Sequence, residues 1–121
     1  MPGVLVVDDE SDMRLLVEAV IERANEGLEV VGVATTGAEA IEQWREVDPD
    51  VILLDHQMPD MTGLETAEQI LDERPDQRII LFSAFLDAGI RARAEELGIQ
   101  ACLPKTDLSR IPEALWRYST D

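Results

Sequence analysis

The sequence predicts an α/β chain folded as a doubly wound sandwich, with five parallel strands in one sheet and helices on both faces. Three observations lead there. Short runs rich in valine, isoleucine and leucine alternate strictly with segments whose apolar residues recur at the helical period. The runs are almost continuously apolar, as in strands buried on both faces, where an antiparallel sheet with one wet face would alternate. At 121 residues the chain has the size of one ordinary domain and can bury a core without staples, so a single domain over 1–121 is expected.

The first run, 4–7, stops at Asp8-Asp9-Glu10, and Ser11 is placed to cap a helix with Met13, Leu16, Val17, Val20, Ile21 and Ala24 on its apolar stripe. Gly27 ends that helix. A valine-rich strand follows over 28–34, and Thr36 with Glu39 forms a capping-box pattern before Ala40, Ile41, Trp44 and Val47. Pro49 closes the second helix. The third run, Val51-Ile52-Leu53-Leu54-Asp55, ends in a carboxylate, and after Met58-Pro59 the pair Thr62 and Glu65 repeats the capping pattern for a helix with Leu64, Ala67, Ile70 and Leu71 inward. Arg74-Pro75 stops it. A fourth strand over 78–82 ends at Ser83-Ala84, and a helix capped at Asp87 runs to Gly98 with Ile90, Ala94 and Leu97 inward. The fifth strand is expected over 100–103, ending at Pro104-Lys105. Capping of the last helix at Ser109 puts Pro112 in the first turn, where its missing N–H has no intrahelical partner to lose, and turns Ile111, Ala114, Leu115 and Tyr118 inward.

At this length the economical doubly wound order is 2-1-3-4-5. It sets the first and third strands side by side, so that Asp8, Asp9 and Asp55 converge at their carboxyl ends, in the crevice where open α/β sheets bind ligands.

Composition limits what such a crevice serves. With 26 acids against 10 bases the net charge is −16, which opposes binding of nucleic acid or an anionic membrane by this surface. The single cysteine, Cys102, cannot form an intramolecular disulfide, and no apolar run has membrane length, so a cytoplasmic protein is expected. Lys105 is the only lysine.

Three carboxylates within roughly 6 Å repel by about 3 kcal/mol per pair at an effective dielectric near 20, so the cluster calls for cations. A hard divalent ion such as Mg²⁺ suits carboxylate and carbonyl oxygens, while no histidine or thiolate pair offers a zinc site. Lys105 adds positive charge at the same edge, and Ser83 offers a hydroxyl to an oxygen of a bound phosphoryl group. A carboxylate, a divalent ion, an ammonium and a hydroxyl are what phosphoryl transfer to an aspartate requires, which makes Asp55 the expected nucleophile. His56, Trp44, Trp116 and Cys102 read as packing or loop residues.

Val6-Val7-Asp8-Asp9-Glu10, Val51-Ile52-Leu53-Leu54-Asp55, Met58-Pro59, Gly63, Ser83-Ala84 and Leu103-Pro104-Lys105, in this order and spacing, resemble the receiver domain of two-component response regulators. The resemblance covers essentially the whole chain and implies a flavodoxin-like (βα)5 fold. It also implies that Asp55 accepts a phosphoryl group from a sensor histidine kinase and later loses it by hydrolysis. By the same carry-over Asp9, Asp55 and the backbone carbonyl of Gln57 would ligate Mg²⁺, Asp8 would act through metal-bound water, and Ser83 and Lys105 would contact phosphoryl oxygens. Phosphorylation would change the face built by the fourth helix, fifth strand and fifth helix, where homodimers or output partners bind. The sequence departs from the family at Cys102, where an aromatic switch residue is usual, and at Lys105-Thr106, where Lys-Pro is common.

Other functions fit the same architecture less well. A phosphatase with an aspartyl nucleophile needs a second carboxylate two positions on as general acid, and Gln57 stands there. A pseudo-receiver that binds partners without phosphate would not need Asp8, Asp9, Asp55, Ser83 and Lys105 together. Flavin binding is opposed by Asp8-Asp9-Glu10-Ser11-Asp12, which would repel a phosphate.

Overall fold

The structure is a computed structural model that describes residues 2–24 and 27–119. Strands β1 (Gly3–Val7), β2 (Glu29–Ala34), β3 (Val51–Leu54), β4 (Arg78–Ser83) and β5 (Ala101–Pro104) alternate with helices α1 (Ser11–Ala24), α2 (Gly37–Val47), α3 (Gly63–Glu73), α4 (Ala88–Leu97) and α5 (Ile111–Ser119). All neighbouring strands pair in parallel in the order β2-β1-β3-β4-β5, the order expected from the sequence.

The side-chain period of two along each strand divides the core between the two faces. Leu5, Val7, Ile52, Leu54, Ile79 and Leu81 pack against α2, α3 and α4 through Ala40, Trp44, Ala67, Ile70 and Ala94. Val4, Val6, Val51, Leu53, Ile80 and Phe82 meet Val17 and Ile21 of α1 and Ile111 and Leu115 of α5. Each such apolar chain contributes roughly 1.5–3 kcal/mol by leaving water; β1 and β3 carry no polar side chain, and β4 carries them only at its ends, Arg78 and Ser83. Among the described residues no helix is long and apolar enough to cross a membrane.

Helix ends follow the expected chemistry in part. Thr62 and Glu65 close a reciprocal capping box on α3, and the Asp87 carboxylate accepts from the Ile90 N–H at 2.8 Å to cap α4. Gly98 ends α4 in the left-handed region, φ 90°. On α2 the Thr36 hydroxyl accepts from the Glu39 N–H, but the Glu39 carboxylate reaches one residue further back, to the Thr35 N–H.

Four expectations are corrected. Ser11 does not cap α1: it is the first helical residue, because the Arg14 N–H already donates to the Glu10 carbonyl. Ser109 does not cap α5 either, since the chain enters through a 3₁₀ turn, Leu108–Arg110, that contains it; Pro112 still falls in the first turn, where no N–H is needed. The fifth strand runs one residue later than 100–103, so that Pro104 pairs with Ser83. Leu16 is 48% exposed, because burial on α1, whose helix neighbour is α5, narrows to Val17 and Ile21. The predicted close of α1 at Gly27 meets a helix that ends at Ala24; Gly27 itself has φ 83°, and residues 25–26 lie outside the described residues.

Trp44 and Gln77 form a buried polar pair, the indole N–H donating to the Gln77 side-chain carbonyl at 2.9 Å. Replacement of the amide by Gln77→Leu leaves that N–H without an acceptor and is expected to lower stability by about 1–3 kcal/mol in urea unfolding, with part recovered in Trp44→Phe/Gln77→Leu.

Candidate functional site

Strand register brings the predicted residues together. Val7 pairs with both Ala34 and Leu54, and the ladder continues one residue further, with Asp8 N–H donating to the Ala34 carbonyl (3.0 Å) and Asp55 N–H to the Val7 carbonyl (2.9 Å). Asp8 and Asp55 therefore leave the sheet at the same level. On the other side Ser83 pairs with Pro104, and the Lys105 N–H donates to the Ser83 carbonyl at 2.9 Å.

Lys105 Nζ lies 2.8 Å from Asp8 Oδ2, 3.3 Å from Asp55 Oδ1 and 3.5 Å from Glu10 Oε1. Asp8 and Asp55 are 2% and 3% exposed, whereas Asp9 is exposed. One carboxylate oxygen from each of Asp8, Asp9 and Asp55 falls within 4.8 Å of the others. Asp9, Glu10, Asp55, Gln57, Ala84 and Lys105 line an open cavity of about 320 Å³. At such distances each pair of like charges repels by about 3 kcal/mol at an effective dielectric near 20, and a single ammonium cannot offset every pair.

In this setting the pKa of Asp55 is raised from the usual 3.8 to about 7. Burial is the main cause and the Asp8 charge the next; Lys105 acts in the opposite direction. For Lys105 burial favours loss of the proton, but Asp8 and Asp55 outweigh it and raise its pKa above 10.5. A cluster of hard oxygen donors with a surplus of negative charge and one exposed member, Asp9, fits a divalent cation.

The remaining predicted residues are placed less directly. Gln57 lines the cavity. The Ser83 hydroxyl is engaged with the backbone of Phe85, donating to its carbonyl at 3.1 Å and lying 3.3 Å from its N–H. His56 is partly buried, burial lowers its pKa, and its enclosed Nδ1 has no hydrogen-bond partner among the described residues. Cys102 is partly exposed, and burial raises its pKa, as befits a packed thiol.

Sequence reasoning from the residues alone does not single out Glu10, Arg14 or Gly63. Glu10 adds a third carboxylate to Lys105, signalled only by its place in an acidic run. The Arg14 guanidinium donates to the Asp8 carbonyl at 2.8 Å and braces the turn after β1. Gly63 donates to the His56 carbonyl at 2.7 Å, and a Cβ there would lie 2.8 Å from His56 Cα, 3.0 Å from the Asp55 carbonyl carbon and closer still to its oxygen.

Comparison with known proteins is consistent with this arrangement. Residues 4–115 match the family described as the response regulator receiver domain. The chain is 36% identical over 117 residues to chemotaxis protein CheY of Thermotoga maritima, covering 96% of each. It is 39% identical over 114 residues to a protein-glutamate methylesterase/protein-glutamine glutaminase of Pseudomonas fluorescens, covering 91% of this chain and 30% of that one. The crystal structure of the response regulator domain of Thermotoga maritima CheB superposes with a TM-score of 0.90 at 28% identity, over 100% of this chain and 98% of that one.

Two measurements test the site. Gly63→Ala pushes a methyl into the Asp55 peptide, and a loss of about 2 kcal/mol or more in chemical unfolding is expected. Because the folded state keeps a proton on Asp55 that the unfolded chain releases, its contribution to stability declines as pH rises from near 4 through about 7, by at most about 4 kcal/mol. A divalent cation favours the ionised form, so the rise in thermal midpoint caused by Mg²⁺ is expected to be larger at pH 8 than at pH 6, and Asp55→Asn should remove that pH dependence.

Proposed function

This chain belongs to the response regulator receiver family, and on that premise we propose that it is a phosphoaccepting switch of a two-component system, with Asp55 as the acceptor. The observation that carries the reading is the Asp55 carboxylate, held 3.3 Å from Lys105 Nζ at the edge of a cavity whose acidic side chains suit a metal ion. The chemistry belongs to the cytoplasm, with a sensor histidine kinase as phosphodonor.

In this reading Asp55, Asp9 and the Gln57 backbone carbonyl would hold Mg²⁺, with Asp8 beside them. Bound there, Mg²⁺ would supply charge neutralisation to the phosphoryl oxygens. The ionised Asp55 carboxylate attacks phosphorus; its new O–P bond forms as the P–N bond to the donor imidazole breaks, and the electron pair of that bond returns to the imidazole. Lys105 donates to a phosphoryl oxygen, for which its grip on Asp8 and Asp55 has poised it. Hydrolysis of the acyl phosphate by water resets the switch. No second turnover chemistry is assigned, since Gln57 stands where a phosphatase would need a carboxylic acid.

The Ser83 hydroxyl supplies the link to a partner face. It now bonds the backbone of Phe85 in the loop leading into α4, so its recruitment to a phosphoryl oxygen releases that loop and biases the face of α4, β5 and α5. A homodimer or an output partner would read this face. Cys102 on β5 lacks the bulk of an aromatic rotamer switch, so the loop after Ser83 carries the larger share of the change.

Incubation with a small phosphodonor and Mg²⁺ is expected to add one phosphoryl group by intact mass. Asp55→Asn or chelation of the metal should abolish the gain, and Lys105→Ala should slow it by about a hundredfold or more. Absence of any gain with small donors and with a cognate kinase would refute the assignment.

A further inference from the structure

We infer that Asp60 is a positioning residue: its carboxylate ties the loop carrying Gln57 to the N-terminus of α2 and so holds the backbone carbonyl assigned to the metal. The inference rests on the proposed Mg²⁺ site and extends it to a side chain outside that site. Asp60 Oδ1 accepts from the Gly37 N–H at 2.8 Å and Oδ2 from the Ala38 N–H at 2.9 Å, so both oxygens are used on two amides that the first turn of α2 leaves without intrahelical partners. These bonds, Ala38 first, hold the Asp60 carboxyl below its usual range, so the bridge stays ionised at neutral pH.

Thr36 already caps α2 through the Glu39 N–H. Asp60 therefore serves different amides, and the partner it brings to them is more than twenty residues away in sequence. Beside it Met61 packs on Gly37, where a Cβ would fall 2.7 Å from the Met61 sulfur. At the loop's other end Gly63 is bonded to the His56 carbonyl. Gln57, Met58 and Pro59 are the span between these anchors.

The bridge also closes a ring through both acidic loops. Asp8 N–H bonds the Ala34 carbonyl at the end of β2, β2 leads into α2, α2 holds Asp60, and the Asp60 loop returns to Asp55. Groups that orient metal ligands from outside the coordination sphere typically change metal affinity 10–100-fold when removed.

The test is calorimetric titration of Mg²⁺ into the wild type, Asp60→Ala, Asp60→Asn and Thr36→Ala, each with its thermal midpoint, repeated in about 0.5 M NaCl to screen the lost charge. Asp60→Ala is expected to raise the Mg²⁺ Kd about tenfold in both salts, and Asp60→Asn, which keeps one acceptor oxygen, by less. Thr36→Ala removes the intrinsic cap of the same helix and is expected to lower the midpoint without changing Kd. An unchanged Kd in Asp60→Ala, or equal weakening in Thr36→Ala, would overturn the positioning role while leaving the metal site intact. If Asp60→Ala does not fold, Asp60→Asn decides alone: a Kd equal to that of the wild type refutes the inference. Absence of Mg²⁺ binding in the wild type would refute the metal site itself, and the positioning role with it.

Discussion

Two carboxylates that are almost fully buried, Asp8 and Asp55, share one ammonium, and the rest of the molecule is arranged around that imbalance. An ion pair in such surroundings is a weak source of stability, because desolvation of the charges offsets most of their attraction. In the proposed function its value is chemical. An uncompensated negative site attracts cations, keeps Lys105 protonated and close, and makes the ionised Asp55 costly until more positive charge arrives.

The scaffold that tolerates this site is apolar and stiff. Strands β1, β3 and β4 are buried along nearly their whole length, and their ladders run in parallel to within one residue of the charged side chains. Loops at the carboxyl edge inherit that precision through short-range devices: Arg14 on the Asp8 carbonyl, Gly63 against the Asp55 peptide, Asp60 on the start of α2. Each ends on backbone just past a strand or in the first turn of a helix.

Much of this was legible beforehand because it depends on local chemistry. Continuous runs such as Val51 to Leu54 declare buried parallel strands, Thr62 with Glu65 and Asp87 declare helix starts, and carboxylates at strand ends declare a polar crevice. Ser11 and Ser109 failed as caps because a cap depends on where the preceding chain enters the helix: Glu10 already accepts the first bond of α1, and a 3₁₀ turn absorbs Ser109. Leu16 shows that the period of a helix indicates a stripe without saying how much of it a neighbour will cover.

The amino-acid sequence by itself determined the alternation of strands and helices, the family pattern and the identity of the charged residues at the crevice, since these follow from residue type and spacing along the chain. Tertiary structure decided how those residues are placed. That Asp8 is buried while Asp9 is exposed, that Lys105 touches Asp8 more closely than Asp55, that Glu10 joins them, and that the Ser83 hydroxyl is engaged with Phe85 are outcomes of register and loop path. So is the bridge from Asp60 to α2, whose two ends are more than twenty residues apart. The physical reason is the same in each case. Hydrogen bonding and Coulomb energy change over fractions of an ångström, and such distances exist only once five strands have been laid side by side.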